Sequence, residues 1–203
     1  MDTHSCKNSG QSGNTPDPGP VPLCMDLDLS GISYKNGDSR EGIRVICKDA
    51  EATEALGRLL GKLAESEDVY CLSGDLGAGK TLLSQGVATS LGVPREDVVS
   101  PTFAIMNIYG GEVMEVRHFD LYRLNSPEEL ADIGFYEYAG GPGVTLVEWA
   151  DLFTSELPPE YLHITLTIHP EGREVELMPL GPRYEQLCED VLRYVDTGAG
   201  HSN

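Results

Sequence analysis

Val69-Tyr70-Cys71-Leu72-Ser73-Gly74-Asp75-Leu76-Gly77-Ala78-Gly79-Lys80-Thr81 is the stretch that decides how this sequence is read. Val69 to Ser73 is a short apolar run of the kind that makes a buried strand. Gly74 to Thr81 matches the pattern G-x-x-x-x-G-K-[ST] at every position. From Lys80 to about Leu91 the spacing predicts a helix, stopped by Gly92 and Pro94. Strand, Gly-rich loop and helix in that order are the context in which this pattern cradles phosphate. The glycines let the backbone curl so that successive N–H groups point inward, and the helix N-terminus adds a favourable dipole. The phosphate-binding candidates are therefore Gly74, Asp75, Leu76, Gly77, Ala78, Gly79, Lys80 and Thr81. Lys80 is expected to reach the outer phosphates, and the Thr81 hydroxyl to ligate Mg²⁺. No Asn-Lys-x-Asp run, the guanine-reading motif, occurs in the sequence, which favours ATP over GTP.

Upstream of the loop, Ile43–Cys47 reads as a strand, and Asp49 to about Glu65 as an amphipathic helix with Asp49 as its N-cap. Downstream, Phe103–Tyr109 and Val113–Phe119 flank Gly110-Gly111, a hairpin signal. Ser126-Pro127-Glu128-Glu129 opens a short helix, with Ser as cap, Pro in the first turn and acids at the positive end of the dipole. Val144–Val147 is a buried-strand pattern that runs into Glu148-Trp149. Tyr161–His169 and Arg173–Met178 alternate as a second hairpin, and Gly181 to about Tyr194 closes the chain as a helix. Strands alternating with helices, then hairpins, predict an α/β protein. The expected architecture is a three-layer P-loop NTPase fold with a mixed, mainly parallel central sheet and added antiparallel hairpins. Residues 1–40, rich in Gly, Pro and Ser, read as a disordered tail, 41–195 as the folded domain and 196–203 as a frayed end.

The 203 residues carry 14 Lys and Arg against 33 Asp and Glu, a formal charge of −19. Such acidity argues against direct binding of DNA or RNA, which rests on neutralising phosphates, and against an anionic membrane surface. Any link to RNA is expected to run through a partner protein. No apolar run approaches the roughly 18 residues that span a bilayer, and the N-terminus has no signal-peptide pattern. The five cysteines are scattered without a CxxC pair, which fits reduced thiols and a cytoplasmic location.

A P-loop needs a second acid near the metal and a group that orients the attacking water. Glu148 and Asp120 both stand at strand ends, and spacing alone leaves their roles open. Thr102, in Ser100-Pro101-Thr102, is a candidate for a switch-like loop or a plain turn residue. Trp149, the single tryptophan, either stacks near the nucleotide or packs in the core. Arg123 is read as a charge-neutralising group or an ordinary ion pair, His118 as a packed histidine, and Arg173 as a candidate contact to nucleotide phosphate.

Gly-Asp-Leu-Gly-Ala-Gly-Lys-Thr at 74–81, Ser-Pro-Thr-Phe at 100–103, His-Phe-Asp-Leu-Tyr-Arg at 118–123 and Glu-Trp at 148–149 together resemble the TsaE (YjeE) family, in order and spacing over about residues 43 to 180. The resemblance implies an ATPase that supports formation of threonylcarbamoyladenosine next to the tRNA anticodon, working with a TsaD–TsaB pair. Carried over by motif, Lys80 and the loop amides hold phosphates. Thr81 and Glu148 ligate Mg²⁺, Thr102 and Asp120 belong to the catalytic or switch region, and Trp149 lines the nucleotide site. Asp120 is the first choice for orienting water. Two other readings stand beside this one. A small-molecule kinase is disfavoured by the scarcity of Arg after the loop, and an ATP-gated scaffold would make hydrolysis incidental.

Overall fold

The computed structural model describes residues 27–199. In chain order the elements are β1 Ile32–Asp38, β2 Gly42–Cys47, α1 Ala50–Lys62, β3 Val69–Ser73, α2 Lys80–Ser90, β4 Met106–Gly110 and β5 Glu115–Asp120. Then come α3 Pro127–Asp132, α4 Phe135–Tyr138, β6 Val144–Glu148, β7 Tyr161–His169, β8 Gly172–Leu180 and α5 Pro182–Ala199. Local chemistry sets several boundaries. The Asp49 carboxylate accepts the Ala52 N–H at 2.8 Å and caps α1. Ser126 and Glu129 form a reciprocal capping box at α3, with Pro127 in its first turn.

The eight strands form one sheet in the order β1-β2-β8-β7-β3-β6-β5-β4. Its centre, β7-β3-β6-β5, is parallel. The flanks are antiparallel: β1, β2 and β8 extend one side and β4 closes the other. Both expected hairpins are present, and the antiparallel additions are more extensive than a mainly parallel sheet implies. β3 is buried along its whole length. Because successive side chains point to opposite faces, Tyr70 and Leu72 enter the core shared with α1, α2 and α5, while Val69 and Cys71 enter a second core with Phe119, Leu130 and Phe135. These two cores make the three layers.

The expected boundary of the tail near residue 40 moves toward the N-terminus. β1 lies inside the stretch read as tail and pairs with β2 from Ile32↔Cys47 to Asp38↔Gly42. It is an edge strand exposed along most of its length, so its own apolar content is small and the pairing comes from its neighbour. Residues 1–26 of the expected tail and 200–203 of the expected frayed end lie outside the described residues, and α5 continues to Ala199. Among the described residues no helix is long and apolar enough to cross a membrane.

Candidate functional site

The parallel strands deliver the site. β3 pairs with β6 so that Leu72 faces Glu148, and β5 pairs with β6 so that Asp120 faces Glu148. The carboxyl ends of three neighbouring strands therefore carry the Gly-rich loop, Glu148 and Asp120 to one edge, the usual place for ligands in open α/β sheets. A cavity of about 280 Å³ opens there, lined by Lys80, Thr81, Thr102, Asp120, Glu148 and Trp149. Leu76, Gly77, Gly79, Leu82, Ser100 and Tyr122 complete its wall. The sheet thus gathers residues that stand up to 73 positions apart, Leu76 to Trp149, around one volume.

Lys80 is the first residue of α2 and only 5% exposed. Its ammonium donates to Gly74 O at 2.6 Å and Asp75 O at 3.0 Å, and sits 3.7 Å from the centre of the Trp149 ring. Burial pushes its pKa below the usual lysine value, against the pull of Glu148, Asp151, Asp120 and Asp75. Trp149 adopts a left-handed backbone, φ 62°, directly after β6, and its ring packs on Tyr122 with centroids 4.9 Å apart.

Glu148 is buried and held at both oxygens. The Thr81 hydroxyl donates to Oε2 at 3.1 Å, His118 Nε2 meets Oε1 at 2.8 Å, and the Ser84 hydroxyl lies 3.5 Å from Oε1. Asp120 is held as closely. Its Oδ2 accepts from Thr102 at 2.6 Å and Ser100 at 3.1 Å, and its Oδ1 accepts the Tyr122 N–H at 3.0 Å. The loop that carries Ser100 and Thr102 is tied to the same strand, because the Asp120 N–H donates to Ile105 O at 2.9 Å. Ile105 itself has φ 68°, a strained conformation for a β-branched residue.

Arg173 takes a different place from the one expected of a phosphate contact. It is not among the cavity-lining residues and donates instead to main-chain oxygens of the loop, to Ala78 O at 2.9 Å and Gly77 O at 3.3 Å. Gly74 and Asp75 support Lys80 through their carbonyls rather than lining the cavity, and Ala78 is buried beneath it. Four participants escaped the sequence reading: His118, Ser84, Ser100 and Tyr122. A signal existed for two of them. His118 precedes Asp120 by two residues and so shares its face of β5, and Ser84 follows Thr81 by one turn of α2.

Thr81 and Glu148 offer hard oxygen donors within 3.1 Å of each other at the cavity wall, a set that suits Mg²⁺. Among the described residues no group of three or more His, Cys, Asp or Glu is placed to hold a metal ion. Mg²⁺ commonly sits on one or two protein oxygens plus phosphates and water, so the donors present fit it.

Fold and loop together define a P-loop protein, a class built to hold nucleotide phosphates. A family model described as Threonylcarbamoyl adenosine biosynthesis protein TsaE matches residues 47–175. A tRNA threonylcarbamoyladenosine biosynthesis protein TsaE from Bacillus subtilis (strain 168) is 43% identical over 145 residues, 71% of this chain and 90% of that protein. One of the same description from Treponema pallidum (strain Nichols) is 38% identical over 134 residues, 66% of this chain and 98% of that protein. The crystal structure of Bacillus subtilis YdiB superposes with a TM-score of 0.61 at 34% identity, covering 80% of this chain and 97% of that one. The chain belongs to the TsaE family, whose role lies in tRNA threonylcarbamoyladenosine biosynthesis.

Proposed function

We propose that this protein is a Mg²⁺-dependent ATPase of the cytoplasm that sustains threonylcarbamoyladenosine formation in tRNA by acting with a TsaD–TsaB pair. The observation that carries the reading is the cavity that Lys80, Thr81, Thr102, Asp120 and Glu148 line together. Lys80 and the loop amides hold the β- and γ-phosphates, and the Thr81 hydroxyl and Glu148 hold Mg²⁺. The ion supplies charge neutralisation at the phosphates. Asp120 accepts a hydrogen bond from the attacking water and orients it in line with the γ-phosphate, once Thr102 releases its oxygen. The protein contributes position and charge rather than covalent chemistry.

Two features support dependence on partners. Leu76 and Tyr122, which line the cavity, are 83% and 55% exposed, and Phe103, next in sequence to the cavity-lining Thr102, is 88% exposed, so three apolar or aromatic side chains stand open at or near the site in an otherwise acidic protein. The charge of −19 also disfavours direct contact with tRNA, which is then met through TsaD–TsaB. The test is ATP hydrolysis by the purified protein with and without TsaD–TsaB, beside Lys80→Ala. Slow turnover alone, a rise with partners and loss in the variant are expected. Equal rates with and without partners would contradict the proposal.

One observation favours an ATP-gated scaffold as the second reading. Asp120 already accepts three hydrogen bonds, from Ser100 and Thr102 at Oδ2 and from the Tyr122 N–H at Oδ1, so most of the acceptor capacity of its carboxylate is committed to the protein itself. Asp120→Asn separates the readings. A scaffold keeps partner binding and function in that variant, whereas an ATPase loses function with ATP binding intact.

A further inference from the structure

Most arginines of the folded region spend their charge on a carboxylate. Arg44 pairs with Glu176, Arg58 and Arg95 with Glu54, Arg117 with Glu115, and Arg183 with Asp68. Arg173 does not. None of the ion pairs among the described residues includes it. Its guanidinium instead makes three bonds to main-chain oxygens. Nη1 donates to Gly172 O at 2.8 Å, Nε to Ala78 O at 2.9 Å and Nη2 to Gly77 O at 3.3 Å. In a chain with 33 acidic residues, a half-buried cation committed to carbonyls of the phosphate loop needs a reason.

The geometry of the peptide supplies one. A peptide unit is a rigid plane in which the C=O and the following N–H point in opposite directions. A donor that draws Ala78 O to the outside of the loop turns the Gly79 N–H toward the cavity. The preceding peptide is fixed from both ends, its Gly77 oxygen by Arg173 and its Ala78 N–H by Asp75 O at 3.1 Å. Gly77 and Gly79 flank Ala78 with φ of 79° and 113°, so the peptides on either side of Ala78 adopt a backbone that glycine favours and the loop has little steric preference of its own there. Arg173 is planted on β8, and β8 is held on both sides by β2 and β7. It reaches the loop from a strand other than the one that carries the loop.

We infer that Arg173 is a positioning residue for the phosphate nest: it holds the Ala78 carbonyl, and so aims the Gly79 N–H at the phosphates before any nucleotide arrives, while its bond to Gly77 O and the Ala78 N–H bond to Asp75 O brace the peptide before it. Its uncompensated charge also raises the local potential for anions within the nest. This rests on the reading of the loop as a nucleotide site, and differs from a direct contact because the guanidinium acts through the backbone.

The experiment is metal-free titration calorimetry of the full chain with ATP and, separately, with inorganic triphosphate, for the wild type, Arg173→Lys and Arg173→Gln. The expected result is a loss of about tenfold in affinity for both ligands in Arg173→Gln, and a smaller, equal loss for both in Arg173→Lys, which keeps the charge but not the fork. Amide exchange at Gly77–Lys80 should rise in both variants while that of β3 and β6 stays unchanged, which a general loss of stability would not produce. If Arg173→Gln fails to fold, Arg173→Lys carries the test alone. Unchanged affinity in the folded variants overturns the inference, as does a loss seen with ATP and not with inorganic triphosphate, since that would place Arg173 at the base or ribose. Failure of the wild type to bind either ligand overturns the nucleotide reading itself.

Discussion

His118 Nε2 lies 2.8 Å from Glu148 Oε1, and both side chains are buried. An ionised carboxylate only accepts, so His118 donates from Nε2, which leaves its buried Nδ1 without a partner. The bond turns the other oxygen, Oε2, toward Thr81. A polar atom left unpaired in a core is costly, and its retention here is explained by what the opposite nitrogen does for Glu148. His118→Ala should therefore leave Glu148 free to rotate. The expected result is roughly a tenfold higher Mg²⁺ requirement for hydrolysis, in line with the loss of other groups that orient metal ligands. His118→Gln, whose amide can reach the same oxygen, should recover part of it. A Mg²⁺ titration of the rate checks this, and an unchanged requirement in His118→Ala would sink it.

A second buried acid stabilises the fold away from the cavity. Asp68 is 3% exposed and takes a two-pronged bond from Arg183, at 3.0 Å from Nε and 2.7 Å from Nη2. It also accepts the Glu65 N–H at 2.9 Å, so it ties the end of the α1–β3 connection to α5. Asp68→Ala removes the two-pronged bond but leaves the half-buried Arg183 guanidinium with Leu63 O at 2.8 Å and Glu65 at 3.6 Å, so the cost falls below that of breaking a fully buried pair, about 2–3 kcal/mol. Urea unfolding should show a loss of that order, with ATP affinity of the folded fraction unchanged. A loss below about 1 kcal/mol would mean that the pair behaves as a surface ion pair.

The phosphate loop was legible because it is contiguous: eight consecutive residues supply their own backbone, and the strand and helix around it are local patterns. Glu148 and Asp120 were legible as acids at strand ends, but their adjacency was not. It depends on β6 lying between β3 and β5, a pairing of segments distant in sequence. His118 was read as a packing residue because burial and function look alike in an apolar run; only the Glu148 contact separates them. Arg173 shows the same limit from the other side. Its charge near a P-loop suggested phosphate, whereas the fold sets it behind the loop, against carbonyls. β1 escaped because an edge strand exposed along most of its length carries little apolar signal of its own.

The thiols provide a check on the core that is independent of the cavity. Cys47, Cys71 and Cys188 are free and buried. Burial pushes the Cys47 and Cys188 thiols up to about 12, and raises Cys71 as well. Alkylation requires the thiolate, so a raised pKa lowers reactivity at every pH below it. Iodoacetamide at pH 8 should leave these three unmodified in the native protein and label all three in denaturant, as read by peptide mass spectrometry. Rapid native labelling of Cys71 would contradict its place in the second core.

Thr102 Oγ1 donates to Asp120 Oδ2 at 2.6 Å, and Ser100 Oγ lies 2.7 Å from Thr102 Oγ1 and 3.1 Å from the same carboxylate oxygen. The three groups form a closed set around Oδ2; in the proposed reaction an incoming γ-phosphate or a partner would open it to free that oxygen for a water. Thr102→Val keeps the shape and removes the donor. If the hydroxyl served only to hold Asp120 back, the variant would hydrolyse ATP faster alone and respond less to partners. If the hydroxyl moves across to the phosphate or its ion during the reaction, as Thr residues of switch loops do, the variant should bind ATP normally and lose about a hundredfold in turnover. The second outcome is expected, because Thr102 lines the cavity itself rather than standing behind Asp120. Single-turnover hydrolysis by Thr102→Val, with and without TsaD–TsaB, decides between them. An acceleration would show that the closed set is a brake and that Asp120 needs no help from Thr102.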